Sequence, residues 1–341
     1  MPDDDATIDL GPMLAEFNRD YRRPGLVGGL TDQHRLRAVG ATGVRRIDRA
    51  APVTTADPFH IGSITKAMSA TVIAALIEQG RLEWTTTAAE VFPDAAGQMH
   101  PQMRQTTVAS LLSHRSGIAR FSTYEELAPF VDWTDEPARR RERFAHRMLA
   151  APPAAVPGEW LYSNAGYTVA AAMAERVTGQ PWEELFRGGL LTPLGMHSAG
   201  FGWPAHVNAA APVGHINVAG SFEIHEQEMG TPPQPLLAAA GDMHMTVADL
   251  ATFARAYLNG LAGTDAALPA NVFGSLHHAF ELDPTTVPQI VFAGSAGTFY
   301  ALLSIRPAQQ RATVLMANAG DNDGSMLDRL VDTLTERIPV A

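Results

Sequence analysis

The sequence predicts an α+β protein: one antiparallel sheet assembled from both ends of the chain, with a mainly helical region inserted between its halves. Two observations predict it. Strand-like segments lie near each terminus, and the long stretch between them carries helical periodicity. Strands and helices do not alternate as a βαβ repeat would require, which argues against a parallel sheet. The division gives residues 7–85 and 240–341 to a sheet domain and 86–239 to a mainly helical one.

Taken in order, residues 24–49 alternate as a hairpin, with PGLVGGL and RLRAVGATGV separated by the turn-prone Thr31-Asp32-Gln33. A helix is expected from about Ser63 through MSATVIAALIEQG, closed near Gly80 by a C-cap glycine. Further helices fit VASLLSH, NAGYTVAAAMAERVTG, WEELFRGGLL and VADLATFARAYLNG. Thr246 precedes the last of these with Asp249 three residues on, close to a capping-box start. Three more strands follow in PQIVFAG, TFYALLSIRP and RATVLMANAG. Pro/Gly-rich stretches at 151–158 and 230–241 read as lid or hinge loops, and Arg139-Arg140-Arg141-Glu142-Arg143 as a solvated helix face.

Composition narrows the function classes. The chain has 341 residues, 46% hydrophobic and 18% charged, enough to bury a full core without staples. The absence of cysteine excludes disulfides, thiolate zinc sites and a cysteine nucleophile. A net charge of −11 disfavours a nucleic-acid partner. No apolar run approaches the ~18 residues of a membrane helix. The acidic start MPDDDATIDLGPML lacks the basic and apolar regions of a signal peptide, so a cytoplasmic protein is expected. His206, His215, His225 and the pair His277-His278 lack the spacing of a zinc helix, and no phosphate-cradling loop occurs; neither metal nor cofactor is expected.

Of the 25 basic residues, 24 are arginine and one is lysine, Lys66. Arginine serves wherever a surface cation suffices, but only lysine can shed its proton and act as a base. Lys66 ends the segment Phe59-His60-Ile61-Gly62-Ser63-Ile64-Thr65-Lys66, three residues after Ser63. On one helix these two side chains share a face. A serine at a helix N-terminus sits where free N–H groups favour developing negative charge, and a desolvated lysine activates its hydroxyl. Tyr162-Ser163-Asn164 stands just before a helical stretch; a tyrosine near an ammonium shuttles protons, and an asparagine holds an amide or the lysine.

Through these segments the chain resembles the serine β-lactamase and penicillin-recognising family. The likeness is to its class C-like branch, with the family VIII esterases and D-amino-acid peptidases. It runs from about residue 15 to 335 through HIGSITKAMSATVIAALIEQGRL, VASLLSHRSGI, PGEWLYSNAGYTVAAAMAERVTG, LLTPLGM and AAAGDMHMTVADLATFARAYLNG. The resemblance implies a β-lactamase/DD-peptidase-like fold, an antiparallel sheet with flanking helices plus an all-helical domain, the active site lying between. It also implies Ser63 as nucleophile, Lys66 as general base, Tyr162 as catalytic tyrosine and Asn164 as the asparagine of Y-x-N. His114 in LLSHRSG matches a loop of that family in a structural role.

The third motif departs from the pattern. The family carries K-T-G, H-x-G or W-x-G on a strand beside the nucleophile, and this chain offers Gly294-Ser295-Ala296-Gly297-Thr298. Read this way, Ser295 replaces the cation or large ring, Gly297 lets the backbone approach a substrate, and Thr298 N–H joins Ser63 N–H as an oxyanion hole. Without that cation, carboxylate-bearing β-lactams and peptides are poorer candidates than a small ester, amide or lactone, unless an arginine such as Arg306 reaches in. An esterase-type hydrolase is therefore expected, with a β-lactamase or D-amino-acid peptidase as alternative and a non-turning-over acyl-binding sensor as another. An α/β-hydrolase reading of Ala293–Gly297 fails, because the last histidine, His278, precedes Ser295.

Overall fold

A computed structural model describes residues 6–130, 133–225, 234–264, 267–279, 286–320 and 325–338. In chain order the elements that position the site are α1 (Gly11–Tyr21), β1 (Gly25–Asp32), β2 (Leu36–Arg46), β3 (Phe59–His60) and α2 (Thr65–Glu78). They continue with α3 (Val108–Leu112), α4 (Pro137–Ala150), α5 (Asn164–Thr178), α6 (Trp182–Phe186), β4 (Met243–Met245) and α7 (Val247–Leu261). The chain closes with α8 (Ala270–Ala279), β5 (Ile290–Ser295), β6 (Tyr300–Arg306), β7 (Arg311–Ala317) and α9 (Ser325–Arg337).

Both chain ends build one seven-stranded sheet in the spatial order β2-β1-β7-β6-β5, with short strands added at and beside β2. All its pairs are antiparallel except Ile8–Asp9, which runs parallel to β2. Strand alternation sorts the side chains by face. Leu26, Leu30, Leu302 and Leu315 point to the side covered by α1 and α9. Val27, Leu303, Val314 and Met316 point into the larger core, with Val247, Leu250 and Phe253 of α7 and nearly the whole circumference of α2. A helix apolar all round belongs inside the protein, and α2 runs through its middle.

Several boundaries differ from expectation for local reasons. The first hairpin turns at residues 33–35 rather than 31–33, because Asp32 stays in β1 and its Oδ1 accepts the His34 and Arg35 N–H groups, both at 2.7 Å. Thr246 caps α7 by accepting from Asp249 N–H, as its position suggested. The basic run of α4 is only partly a solvated face. Arg141 is fully buried, with Nη2 at 2.7 Å from Glu175 Oε1 of α5 and 2.8 Å from Glu183 Oε2 of α6. Of the stretch 230–241, residues 230–233 lie outside the described residues, and in α8 the side chains of His277 and His278 do too.

Candidate active site

The site is assembled where the start of α2 meets the edge strand β5 and the N-terminus of α5. Ser63 does not begin the α-helix. It lies in a 3₁₀ turn, Gly62–Ile64, and α2 starts at Thr65, whose Oγ1 donates to the Gly62 carbonyl at 2.7 Å. The turn preserves the spacing of the motif. Lys66 Nζ stands 3.1 Å from Ser63 Oγ, and Tyr162 Oη stands 2.7 Å from the same oxygen.

Each of these groups is conditioned by its surroundings. Lys66 is buried, its Nζ donates to the Ala240 carbonyl at 2.5 Å, and burial lowers its pKa to about 7. The aromatic faces of Tyr162 and Tyr167 lie 4.9 and 5.5 Å from Nζ. Burial raises the Tyr162 phenol, against a smaller lowering by its hydrogen bond to Ser63. His114 packs on Tyr162 at 4.6 Å between ring centroids, and its Nδ1 accepts Ser163 N–H at 3.1 Å. Burial, with the nearby Lys66 charge, pushes His114 down to about 4, so its ring is neutral at pH 7.

Asn164 is tied down elsewhere: its Nδ2 donates to the Phe121 carbonyl at 2.9 Å, and Ser163 caps α5 by accepting Gly166 N–H. The third motif sits three residues earlier than the sequence spacing suggested. A Cβ on Gly294 would lie 2.0 Å from the Ile61 carbonyl and 2.8 Å from Ser63 N, and one on Gly62 would lie 2.7 Å from Ser295 N. Only glycines permit that approach. Gly297, by contrast, faces open space and serves a turn with φ +80, its N–H donating to Ser295 Oγ at 3.1 Å. Thr298 is buried beside Gly320, and its carbonyl accepts His215 N–H at 3.2 Å.

The x-x-Gly triplet against the Gly62–Ile64 turn is therefore Phe292-Ala293-Gly294, and the residue after it is Ser295. Ala296 N–H is spent on the Phe299 carbonyl at 3.1 Å, so strand alternation directs the Ser295 amide to the free edge of β5, where the turn lies. Phe292 is half-buried, its ring 5.7 Å from that of Tyr257. Arg306 does not reach in; its Nη2 pairs with Asp332 of α9 at 2.7 Å.

The family model for Beta-lactamase matches residues 12–334. The chain belongs to the beta-lactamase family. Its members are serine hydrolases. Penicillin-binding protein 4 of Amycolatopsis lactamdurans is 29% identical, over 85% of this chain and 78% of that one. Esterase EstB of Burkholderia gladioli is 27% identical, over 55% of this chain and 50% of its own length. Among solved structures, a class C beta lactamase from Rhodobacter sphaeroides superposes with TM-score 0.73 at 18% identity, covering 95% of this chain and 98% of that one. A D-stereospecific amidohydrolase from Streptomyces sp. gives 0.66 at 21% identity, over 90% and 93%. Sequence relatives thus bear the names of a penicillin-binding protein and an esterase, while the amidohydrolase shares the fold. Among the described residues no helix is long and apolar enough to cross a membrane, and no cluster of metal-ligating side chains occurs.

Proposed function

We propose that the chain hydrolyses small esters, or small amides and lactones, through an acyl-enzyme on Ser63. One observation carries the reading: the two proton-handling groups, Lys66 and Tyr162, both lie within hydrogen-bond distance of a single serine oxygen. With its pKa near 7, Lys66 is neutral in a large fraction of molecules at neutral pH, and its lone pair takes the Ser63 proton. Tyr162, its phenol raised, stays protonated and donates to Ser63 Oγ. The serine oxygen attacks the substrate carbonyl, and the N–H groups of Ser63 and Ser295, in place of Thr298, hold the oxyanion. A proton passes through Tyr162 to the leaving group; water then cleaves the acyl-enzyme by the same steps reversed.

The preference for neutral substrates rests on Phe292. A phenyl ring stands first in the triplet, where a cation would grip a substrate carboxylate, and Arg306 is engaged elsewhere. A carboxylate desolvated there gains little in return. Incubation with a fluorophosphonate followed by peptide mapping tests the nucleophile: a label on Ser63 is expected, and a label elsewhere or none refutes the scheme.

A further inference from the structure

A strap formed by residues 239–245 lies along the nucleophile segment. The Ala239 carbonyl accepts from Ser69 Oγ at 2.7 Å and the Ala240 carbonyl from Lys66 Nζ. The Met243 carbonyl accepts from Ile61 N–H at 2.9 Å, and β4 pairs with β3 through Phe59↔Met245 and His60↔His244. Three side chains at the crossing are both buried and polar: His60, 2% exposed, and on the strap Asp242, 6%, and His244, 5%, whose Nδ1 is engaged with the Gly202 carbonyl at 2.7 Å. His60 Nδ1 accepts the Gly62 N–H at 3.2 Å, which places the ring's proton on Nε2. That Nε2 has no hydrogen-bond partner among the described residues, and Asp242 Oδ1 lies 3.6 Å from it. The other carboxylate oxygen accepts Gln234 N–H at 2.7 Å. Trp203 covers the imidazole, ring centroids 4.5 Å apart, and keeps the pair dry.

We propose that His60 and Asp242 act as one positioning pair for Ser63 and Lys66. The imidazole holds the turn carrying the nucleophile at one nitrogen and faces the carboxylate with the other. Asp242 stands two residues after Ala240, whose carbonyl orients the lysine. A slip of the strap along β3 moves the base relative to the serine, and displacements of about 1 Å cost on the order of 10²-fold in rate. Neither residue touches the substrate. The inference rests on the Ser63–Lys66 reading above.

The test uses the full-length protein and three variants: His60→Gln, Asp242→Asn and the double. Active sites are titrated by fluorophosphonate, and kcat and KM for p-nitrophenyl butyrate are expressed per titrated site, so that misfolded protein drops out. Expected are roughly 10- to 100-fold losses in kcat with KM within about two-fold, the scale seen when a group that orients a first-contact ligand is removed. The double variant should be no slower than the slower single variant, since the two residues act as a unit. Full kcat per site in both single variants, with only the melting temperature lowered, overturns the pairing, as do strictly additive losses. A wild type that takes no label on Ser63 sinks the hydrolase reading and this inference together, a result distinct from labelled variants that retain turnover.

Discussion

Lys66 shows what one side chain contributes that its 24 arginine counterparts cannot. Its amine is desolvated, so the neutral form, which is the proposed base, becomes populated as pH rises through about 7. Below that pH the amine carries a proton and cannot accept another. The kcat/KM profile is therefore expected to climb through an apparent pKa near 7 and level off above it. A profile flat from pH 5 to 9 would contradict the assignment. Lys66→Arg keeps the charge and removes the base, so activity should fall by about 10²–10⁴-fold. Tyr162→Phe discriminates between leaving groups. Esters of p-nitrophenol expel a stable anion and should suffer little, while alkyl esters and amides, which need a proton, should lose about 10²-fold. Equal losses for both would remove Tyr162 from the proton path.

At the scale of elements, the contact between β5 and the Gly62–Ile64 turn is decided by glycines. Gly294→Ala places a methyl group into the Ile61 carbonyl and must displace the turn or the strand. Its loss of activity should be severe, whereas Ser295→Ala, which keeps the backbone amide, should stay within about ten-fold of wild type. Parallel kcat measurements on soluble, folded protein separate the two. An active Gly294→Ala would refute the close approach. The helical region has its own fixed point in Arg141, which joins α4 to α5 and α6 through Glu175 and Glu183. Removing it strands buried carboxylate, so Arg141→Ala should cost about 3–5 kcal/mol in urea unfolding. A cost below 1 kcal/mol would mean that the ion pairs are solvated after all. The sequence did not reveal this: a run of four arginines and a glutamate looks like a wet surface, and which one turns inward depends on where α5 and α6 lie.

For the molecule as a whole, the arrangement predicts selectivity. In a panel of p-nitrophenyl esters, D-amino-acid amides and a chromogenic cephalosporin, the highest kcat/KM should fall on an ester. A cephalosporin well above every ester would overturn the preference argued from Phe292. Product should accumulate in a steady state; one equivalent per site followed by silence would mark a sensor. These outcomes depend on the long-range assembly that brings Ala240 to Lys66, 174 positions apart, and Tyr162 to Ser63, 99 apart.

The sequence alone carried the sheet from both chain ends and the main helices, and with its family resemblance it pointed to Lys66 and Tyr162, the two side chains that meet the Ser63 oxygen. Strand and helix periodicities are local, and the Ser63/Lys66 pair lies within one turn, so neighbouring positions suffice to read them. A single lysine among arginines marked Lys66 as the proposed base without any coordinate. Tertiary structure decided the rest. The triplet Phe292-Ala293-Gly294 and its neighbour three residues later both fit an x-x-Gly pattern, and only the approach of β5 to Ser63 selects between them. His60 and Asp242 look unremarkable in their own segments, and their facing follows from the pairing of β3 with β4. Spacing along the chain specifies what one element presents to its surroundings. Which distant backbone or side chain meets it is set by packing.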